Sequence, residues 1–184
     1  MPSLVITGAG SGIGRATAHH LADRAETLIL VGRRRASLEE TAAALHRSSP
    51  VRLVVADMSV PGGVAELRES LGDEPVHGLA LVAGGPGEAH GLTGIEGVVA
   101  GYDASMRANL LTAVLPVEAV RDRLADGASI VAVGSIGGAR GADSYGAAKA
   151  ALVAWARHVA RQLGPRGITA NVVAPGYIED TEFY

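Results

Sequence analysis

The pair Tyr145 and Lys149 is the feature of this sequence with the clearest chemical potential. Four positions separate the two residues, a spacing that puts the phenol and the ammonium on one face of a helix. A phenol is a weak acid with a pKa of about 10, and a nearby positive charge lowers that pKa toward the range useful for general acid–base catalysis. Lys149 is also the only lysine among sixteen basic residues. Its compact ammonium can reach two ribose hydroxyls, a task less suited to the planar guanidinium of arginine.

A surface tyrosine beside a surface lysine is the alternative, since such pairs are common in helices. Ser135 adds a third candidate group, because it stands ten residues before Tyr145 and follows a predicted strand that leads into Gly134. A hydroxyl at that point would lie at the carboxyl edge of a parallel sheet, where open α/β folds bind their ligands. Ser135 could instead be a turn residue at the end of the strand.

The first predicted strand runs directly into a glycine-rich loop with the sequence TGAGSGIG. Glycine lets the backbone approach a pyrophosphate, whose charge is met by free N–H groups and by the positive end of the following helix. The candidate cofactor-binding residues of this loop are Gly8, Gly10, Ser11, Gly12, Ile13 and Gly14. Their spacing does not fit the six-residue dinucleotide fingerprint, because Ile13 stands where the third glycine would fall. A tight connection that binds nothing is the alternative.

Basic residues follow the second predicted strand, where an acidic residue would hold the ribose 2′-hydroxyl of NAD. The sequence there continues from Gly32 into Arg33, Arg34 and Arg35. Guanidinium groups offer paired donors to a 2′-phosphate, whereas a carboxylate would repel it. Arg33 and Arg34 therefore predict NADP(H) as the cofactor, preferred over NAD(H). The alternative, a solvated helix start, suits Arg35 better than Arg33.

Asp57 and Met58 follow the third predicted strand and are further candidates for cofactor binding. A carboxylate at that strand end could accept a hydrogen bond from the adenine amino group, or Asp57 could cap the following helix. The six histidines show neither a nucleophile–base spacing nor a metal-ligand spacing, so the sequence predicts no metal site.

The elements that position these residues follow from an alternation of short apolar runs with longer alanine-rich stretches, the pattern of βα units around a parallel sheet. Strands are predicted at residues 3–7, 27–31, 51–56, 77–82, 128–133 and 168–173. Helices are predicted at residues 12–24, 36–47, 62–71, 100–124 and 144–163. Six glycines and one proline between Gly84 and Gly97 favour a loop there, and this loop could line a site.

The bulk properties limit the possible functions. With 184 residues the chain is expected to form a single domain spanning 1–184. The formal net charge of −3 argues against nucleic acid and an anionic membrane surface as partners, and the lack of cysteine excludes disulfides and thiolate metal sites. The first strand begins at residue 3 and leaves no room for a secretory signal, and no apolar run approaches bilayer length. A cytoplasmic protein is expected.

Taken together, the motifs resemble those of the short-chain dehydrogenase/reductase family over essentially the whole chain. The similarity comprises the glycine-rich loop, Asp57, Asn109 in the run RANLL, Ser135, the motif of Tyr145 and Lys149, and the turn NVVAPG at residues 171–176. The resemblance implies an α/β fold, a Rossmann-like doubly wound parallel sheet of order 3-2-1-4-5-6 with helices on both faces. It also makes Ala83, Gly84 and Ile178 candidate cofactor-binding residues.

The resemblance further implies hydride transfer between NADP(H) and a small carbonyl or alcohol substrate. In reduction Tyr145 would donate the proton and Ser135 would hydrogen-bond the substrate oxygen. Lys149 would hold the nicotinamide ribose and lower the pKa of Tyr145, and Asn109 would organise a water leading toward Lys149. A homodimer or homotetramer is implied as well, because in the family the helices predicted at 100–124 and 144–163 pack against their symmetry mates.

Three departures from the family pattern favour an alternative function. The run from Leu81 to Gly84 reads LVAG where the family usually has Asn-Asn-Ala-Gly, and the interval from Ser135 to Tyr145 is a few residues short. The family also continues into a substrate-covering loop, a helix and a seventh strand, which are expected to be missing here. The missing amides and the missing substrate-covering segment suit the alternative, a catalytically impaired dinucleotide-binding module that acts as a sensor or assembly partner. A methyltransferase is disfavoured, because methyl transfer would not use the tyrosine, the lysine or the arginines.

Overall fold

The computed structural model describes residues 2–45, 50–87, 91, 93–141 and 143–178, and within them the chain forms a six-stranded parallel sheet. The strands are β1 (Ser3–Thr7), β2 (Thr27–Gly32), β3 (Val51–Val55), β4 (Val76–Leu81), β5 (Leu124–Val133) and β6 (Thr169–Val173). Their order is β3-β2-β1-β4-β5-β6, and each neighbouring pair is parallel. The Rossmann-like fold and the strand order expected from the sequence are confirmed.

The neighbouring strands β1 and β2 supply side chains alternately to two cores, one on each face of the sheet. Val5 of β1 and Ile29 of β2 pack in one core, whereas Ile6 of β1 and Leu28 of β2 pack in the other. All four side chains are fully buried. Because successive side chains of a strand point to opposite faces, a sheet covered on both faces needs an unbroken apolar run. Polar groups are therefore left to the strand ends.

The helices that flank the sheet in the described ranges are α1 (Gly12–Leu21), α2 (Arg35–Ala43), α3 (Pro61–Leu71), α4 (Gly94–Met106), α5 (Thr112–Ala119), α6 (Ile136–Arg140) and α7 (Ser144–Leu163). Proline stands at the start of α3, where its missing N–H has no intrahelical partner to lose. None of the helices described has the length and apolarity needed to cross a bilayer.

The segment predicted as one helix at 100–124 forms two helices joined by a wide turn, and the second helix ends at Ala119, short of the predicted 124. α4 already begins at Gly94, inside the segment expected to be a loop, and a π-helical turn at Arg107–Leu111 joins it to α5. The π-helical turn carries Asn109, whose side-chain amide donates to the carbonyl oxygen of Ser105 at 3.1 Å. Such wide turns are frequent at functional sites, and counting at 3.6 residues per turn does not detect them.

Smaller differences concern two element ends and one additional short helix. α2 ends at Ala43, short of the predicted 47, and residues 46 and 47 lie outside the described part of the chain. β5 begins at Leu124, four residues before the predicted 128. α6 (Ile136–Arg140) was not predicted, because five residues are too few to show a helical period.

Candidate active site

The loops that follow β1, β4 and β5 meet at one edge of the sheet. β4 lies between β1 and β5, so their carboxyl ends are neighbours. The glycine-rich loop follows β1, Gly84 follows β4, and Ser135 follows β5. In open α/β sheets ligands bind outside this edge.

The glycine-rich loop is so closely packed that two of its glycines have no room for a side chain. Gly8 has a φ of +66°, and a Cβ there would lie 2.9 Å from the backbone nitrogen of Ala83. A Cβ on Gly14 would lie 2.0 Å from the carbonyl oxygen of Gly8. Ser11 is the N-cap residue of α1 in an extended conformation, and Ile13 lies in the first turn of that helix. The loop thus turns tightly into a helix N-terminus, the backbone arrangement that binds phosphate.

The loop is held in place by residues that the sequence did not single out. The N–H of Ala9 donates to the carbonyl oxygen of Val31 at 3.1 Å, and the hydroxyl of Thr41 lies 3.0 Å from the carbonyl oxygen of Ala9. Nη2 of Arg15 donates to the carbonyl oxygen of Gly10 at 2.6 Å. A threonine and an arginine within helices carry no local signal of such contacts, because their partners lie in other elements.

The turn after β4, which lacks the family's two asparagines, is held by threonines. Oγ1 of Thr7 accepts hydrogen bonds from the N–H groups of Val82 at 3.0 Å and Ala83 at 3.1 Å. Oγ1 of Thr112 donates to the carbonyl oxygen of Ala83 at 3.0 Å. Both polar groups of Ala83 therefore have partners without any help from an amide side chain.

Gly84 lies directly against two of the predicted catalytic residues. A Cβ on Gly84 would lie 2.9 Å from Oδ1 of Asn109 and 3.3 Å from Nζ of Lys149. Asn109 is 1% exposed, and its amide binds both backbone polar groups of Gly85: Oδ1 accepts from the N–H of Gly85 at 3.2 Å, and Nδ2 donates to the Gly85 carbonyl oxygen at 2.8 Å. The fold therefore brings Gly84, Asn109 and Lys149 to one point.

Tyr145 and Lys149 lie on the same side of α7, as their spacing predicts. Nζ of Lys149 is 5.7 Å from the centroid of the Tyr145 ring and donates to the carbonyl oxygen of Val133 at 2.8 Å. The lysine is 5% exposed, and this burial lowers its pKa to about 8. Asp143 caps α7 by accepting from the N–H of Tyr145 at 3.0 Å, which fixes the first turn. An ammonium beside a phenol can stabilise the phenolate that remains after proton transfer.

Ser135 lies at the sheet edge where the sequence placed it, and its hydroxyl also caps a helix. It lies at the carboxyl end of β5, and it is also the N-cap residue of α6, with Oγ accepting from the N–H of Gly137 at 3.1 Å. α6 occupies the short interval before α7, and the two helices touch where a Cβ on Gly138 would lie 3.0 Å from backbone atoms of Lys149 and Ala150. The shortened loop is thus a compact helical turn packed on α7.

The candidates for the adenosine end of a dinucleotide lie at the ends of β2 and β3. Arg33 and Arg34 are exposed, and Arg34 is the N-cap residue of α2. Oδ1 of Asp57 accepts from the N–H of Ser59 at 2.8 Å, whereas the N-cap residue of α3 is Val60, so Asp57 does not cap that helix.

The charges at this end of the site favour an ionised Asp57. Burial alone would raise the pKa of Asp57, but hydrogen bonds from Ser59 and the charge of Arg33 outweigh it and leave the pKa below its ordinary value. Arg33 and Asp57 both line an open depression of about 500 Å³ beside α3. The side chain of Met58 packs in the core instead, so only its backbone could reach a ligand.

The remaining predicted features lie around this edge. The NVVAPG motif begins in β6 and ends in the turn after it, and it binds the backbone on both sides of Ser135: the N–H of Gly134 donates to the Val173 carbonyl oxygen at 2.7 Å and that of Ile136 to the Pro175 carbonyl oxygen at 3.1 Å. Ile178 is exposed and is the last described residue. In the described ranges no cluster of three acidic, histidine or cysteine residues could hold a metal ion.

Comparison with known proteins identifies close likenesses. A family model for short chain dehydrogenases matches residues 3–184. Levodione reductase from Leifsonia aquatica is 34% identical over 187 residues, an alignment that covers 95% of this chain and 68% of the reductase. A short-chain dehydrogenase/reductase of unknown function from Caenorhabditis elegans, solved with cofactor, matches with a TM-score of 0.85 and 32% identity over 97% of this chain and 70% of its own.

A third likeness comes from a complex with a named cofactor. The short-chain dehydrogenase from Sphingobium yanoikuyae in complex with NADPH matches with a TM-score of 0.79 and 28% identity, covering 100% of this chain and 73% of its own. The matched part makes up 68%, 70% and 73% of the length of these three relatives.

Proposed function

Because this chain belongs to the short-chain dehydrogenase/reductase family of nicotinamide-dependent oxidoreductases, we propose that it transfers a hydride between NADP(H) and a small carbonyl or alcohol substrate. The observation that carries the proposal is the arrangement of Lys149, with its buried ammonium 5.7 Å from the Tyr145 ring and against Gly84. A structural lysine would more commonly be exposed, since burying an ammonium is costly.

The residues present fit a dinucleotide. The glycine-rich loop excludes side chains at Gly8 and Gly14, which lets its backbone approach a pyrophosphate at the start of α1. Arg33 and Asp57 line the depression beside α3, where they would bind the 2′-phosphate and the adenine amino group. Gly84 keeps the space next to Lys149 clear.

The preference for NADP(H) over NAD(H) is supported by the charges at the end of β2. Arg33 and Arg34 stand where an NAD enzyme would carry an acidic residue, and both are exposed. A guanidinium presents two parallel donors to a phosphate, which a ribose hydroxyl cannot use as well. The NADPH complex of the Sphingobium yanoikuyae relative agrees with this preference.

The protein's own groups would handle the proton. When bound, the nicotinamide supplies or accepts the hydride. In reduction, Tyr145 donates its phenolic proton to the substrate oxygen, which Ser135 orients by a hydrogen bond. Lys149 stabilises the resulting phenolate with its charge, which is retained at neutral pH because its pKa is about 8. Asn109 holds the backbone of Gly85 beside Lys149. By family resemblance it would also organise a water leading toward that ammonium.

Lys149 uses one hydrogen-bond donor within the protein, which leaves two donors for its other proposed role, holding the nicotinamide ribose. The bond to the Val133 carbonyl oxygen uses one of the three N–H donors of the ammonium. The other two match the two hydroxyls of the nicotinamide ribose. An arginine, with a longer planar fork, would not fit the space between Gly84 and Val133 as well.

We also propose that the protein self-associates and works in the cytoplasm. Four exposed apolar side chains of α4, which we call the α4 stripe, share one helical face: Ile95, Val98, Val99 and Tyr102, exposed by 80%, 55%, 56% and 45%. A contiguous apolar patch on a globular protein commonly marks an interface. A second copy of the chain is the partner that the family resemblance implies.

The decisive experiment measures NADPH binding and turnover in the same preparation. NADPH fluorescence titration gives the dissociation constant, and loss of NADPH absorbance with a panel of aldehydes and ketones gives kcat. In Tyr145→Phe we expect kcat to fall about 10²- to 10⁴-fold while NADPH affinity is unchanged. Near-normal turnover in this variant would refute the assigned role. NADPH binding with no turnover on any substrate would favour a dinucleotide-binding module that acts as a sensor.

A further inference from the structure

The glycine-rich loop is fastened to α2 by two side chains that the proposed chemistry does not use. Thr41 of α2 is fully buried, and its hydroxyl accepts from Nε of Arg15 at 3.1 Å. The single proton of that hydroxyl is shared between the carbonyl oxygens of Ala9 and Ser37, each 3.0 Å away. Nη2 of Arg15 donates to the carbonyl oxygen of Gly10 at 2.6 Å. We call Arg15 and Thr41 the loop latch.

The loop latch binds two successive carbonyl oxygens, and this determines where the next N–H groups point. A trans peptide is planar, so its N–H points away from its C=O. With the carbonyl oxygens of Ala9 and Gly10 directed at the latch, the N–H groups of Gly10 and Ser11 are directed to the opposite side. Phosphate is attracted by N–H groups and repelled by carbonyl oxygens. The latch therefore sets the polarity of the loop surface.

The arginines expected to bind the 2′-phosphate lead directly into α2. Arg34 is its N-cap residue, and Arg33 comes directly before. The first turn of α2 touches the loop as well, because a Cβ on Gly10 would lie 2.9 Å from Cβ of Ser37. The pyrophosphate loop and the arginines are thus attached to one helix, and the hydrogen-bonded part of that attachment is the latch together with an exposed ion pair between Arg15 and Glu40 of α2 at 3.1 Å.

We propose that Arg15 and Thr41 are positioning residues that hold the glycine-rich loop at a set distance from Arg33 and Arg34, so that both ends of one NADP(H) are bound together. This inference rests on the proposed function, since it concerns the same cofactor. A ligand that spans two anion sites gains affinity when the sites are already correctly spaced. A ligand that occupies one site gains nothing from the spacing.

The test compares two ligands in a variant that loses only a hydroxyl. NADPH occupies both sites, whereas adenosine 2′-monophosphate carries the 2′-phosphate and no pyrophosphate. In Thr41→Val we expect the NADPH dissociation constant to rise about tenfold, because the two anion sites are no longer held at a fixed spacing, while the dissociation constant of adenosine 2′-monophosphate stays unchanged. Thr41→Ser keeps the hydroxyl and should restore NADPH affinity. Arg15→Met should repeat the effect of Thr41→Val.

Thr17→Val is the matched control, because the Thr17 hydroxyl donates at 2.7 Å to the Ile13 carbonyl oxygen within α1 and does not reach α2. It should leave the affinity for both ligands unchanged. If Thr41→Val binds NADPH with normal affinity, or loses the same affinity for both ligands, the latch has only a structural role. The inference is then wrong, while the proposed function stands. If the wild-type protein does not bind NADPH, the proposed function itself is wrong.

Discussion

The ammonium of Lys149 donates to the carbonyl oxygen of Val133 at 2.8 Å and so ties α7 to the carboxyl end of β5. The same nitrogen lies against Gly84 at the end of β4 and beside the ring of Tyr145. Three elements distant in sequence therefore meet at one charged atom. Small changes in any of these elements should alter the rate of the reaction, so conservative substitutions can test the site.

Gly84→Ala should impair turnover far more than the same change at the neighbouring glycine. Its Cβ would lie 2.9 Å from Oδ1 of Asn109 and 3.3 Å from Nζ of Lys149, so both groups must shift. Misplacing catalytic groups by about 1 Å can cost roughly 10²-fold, and we expect kcat to fall about 10- to 100-fold. Gly85→Ala is the control, because a Cβ there meets nothing within 4 Å. If steady-state kinetics show equal losses of kcat in the two variants, the contact of Gly84 with Asn109 and Lys149 does not matter for catalysis.

Lys149 should make stability depend on pH in a defined direction. Its pKa is lowered from 10.5 to about 8 by burial, so between these values the folded state holds fewer protons than the unfolded state. The free energy of unfolding therefore rises with pH in this window, by roughly 3 kcal/mol in total. Below about pH 8 both states are charged and the cost of the buried ammonium is fully present.

Urea unfolding of the wild type and Lys149→Met across this window measures the effect. The wild type should gain stability relative to the variant as the pH rises from about 8 to 10.5. A difference between the two proteins that stays constant with pH would mean that the ammonium is solvated in the folded state. The methionine variant has a similar length and no titratable group, so it removes the contribution of every other residue from the comparison.

Arg33 should carry more of the cofactor preference than Arg35. Hydrogen bonds to a charged group contribute about 1.5 to 3 kcal/mol, so Arg33→Ala should raise the NADPH dissociation constant about 10- to 100-fold with little change for NADH. Arg35→Ala removes an equal charge from an exposed side chain that pairs with Glu39 at 3.7 Å, and it should have a smaller effect. Equal losses in the two variants, or tighter NADH than NADPH binding in the wild type, would contradict the NADP(H) preference.

The α4 stripe should control self-association. Val99→Glu places a charge in this stripe and should yield monomers, which size-exclusion chromatography with light scattering would detect, because burying an unpaired carboxylate at an interface is costly. Val173→Glu is the control, since Val173 on β6 has the same 56% exposure as Val99 and lies outside the stripe. Association that survives Val99→Glu but is lost in Val173→Glu would assign the interface to the β6 edge instead.

The sequence by itself determined the strands, most of the helices and the glycine-rich loop. These follow from local patterns: apolar runs long enough to be buried on both faces, helical spacing, and glycines at a strand end. The spacing of Tyr145 and Lys149 was equally local, since four residues of helix place them together. The strand order came from the family resemblance, because apolar runs do not say which strands are neighbours.

The tertiary structure alone decided how the site is supported. Thr7 reaches Ala83 across 76 positions, and Arg15 reaches Thr41 across 26. The π-helical turn at Arg107–Leu111 depends on such packing as well. A hydrogen bond between distant elements produces no periodic pattern in the sequence. The partner of a threonine or arginine in a helix therefore cannot be predicted until the fold is known.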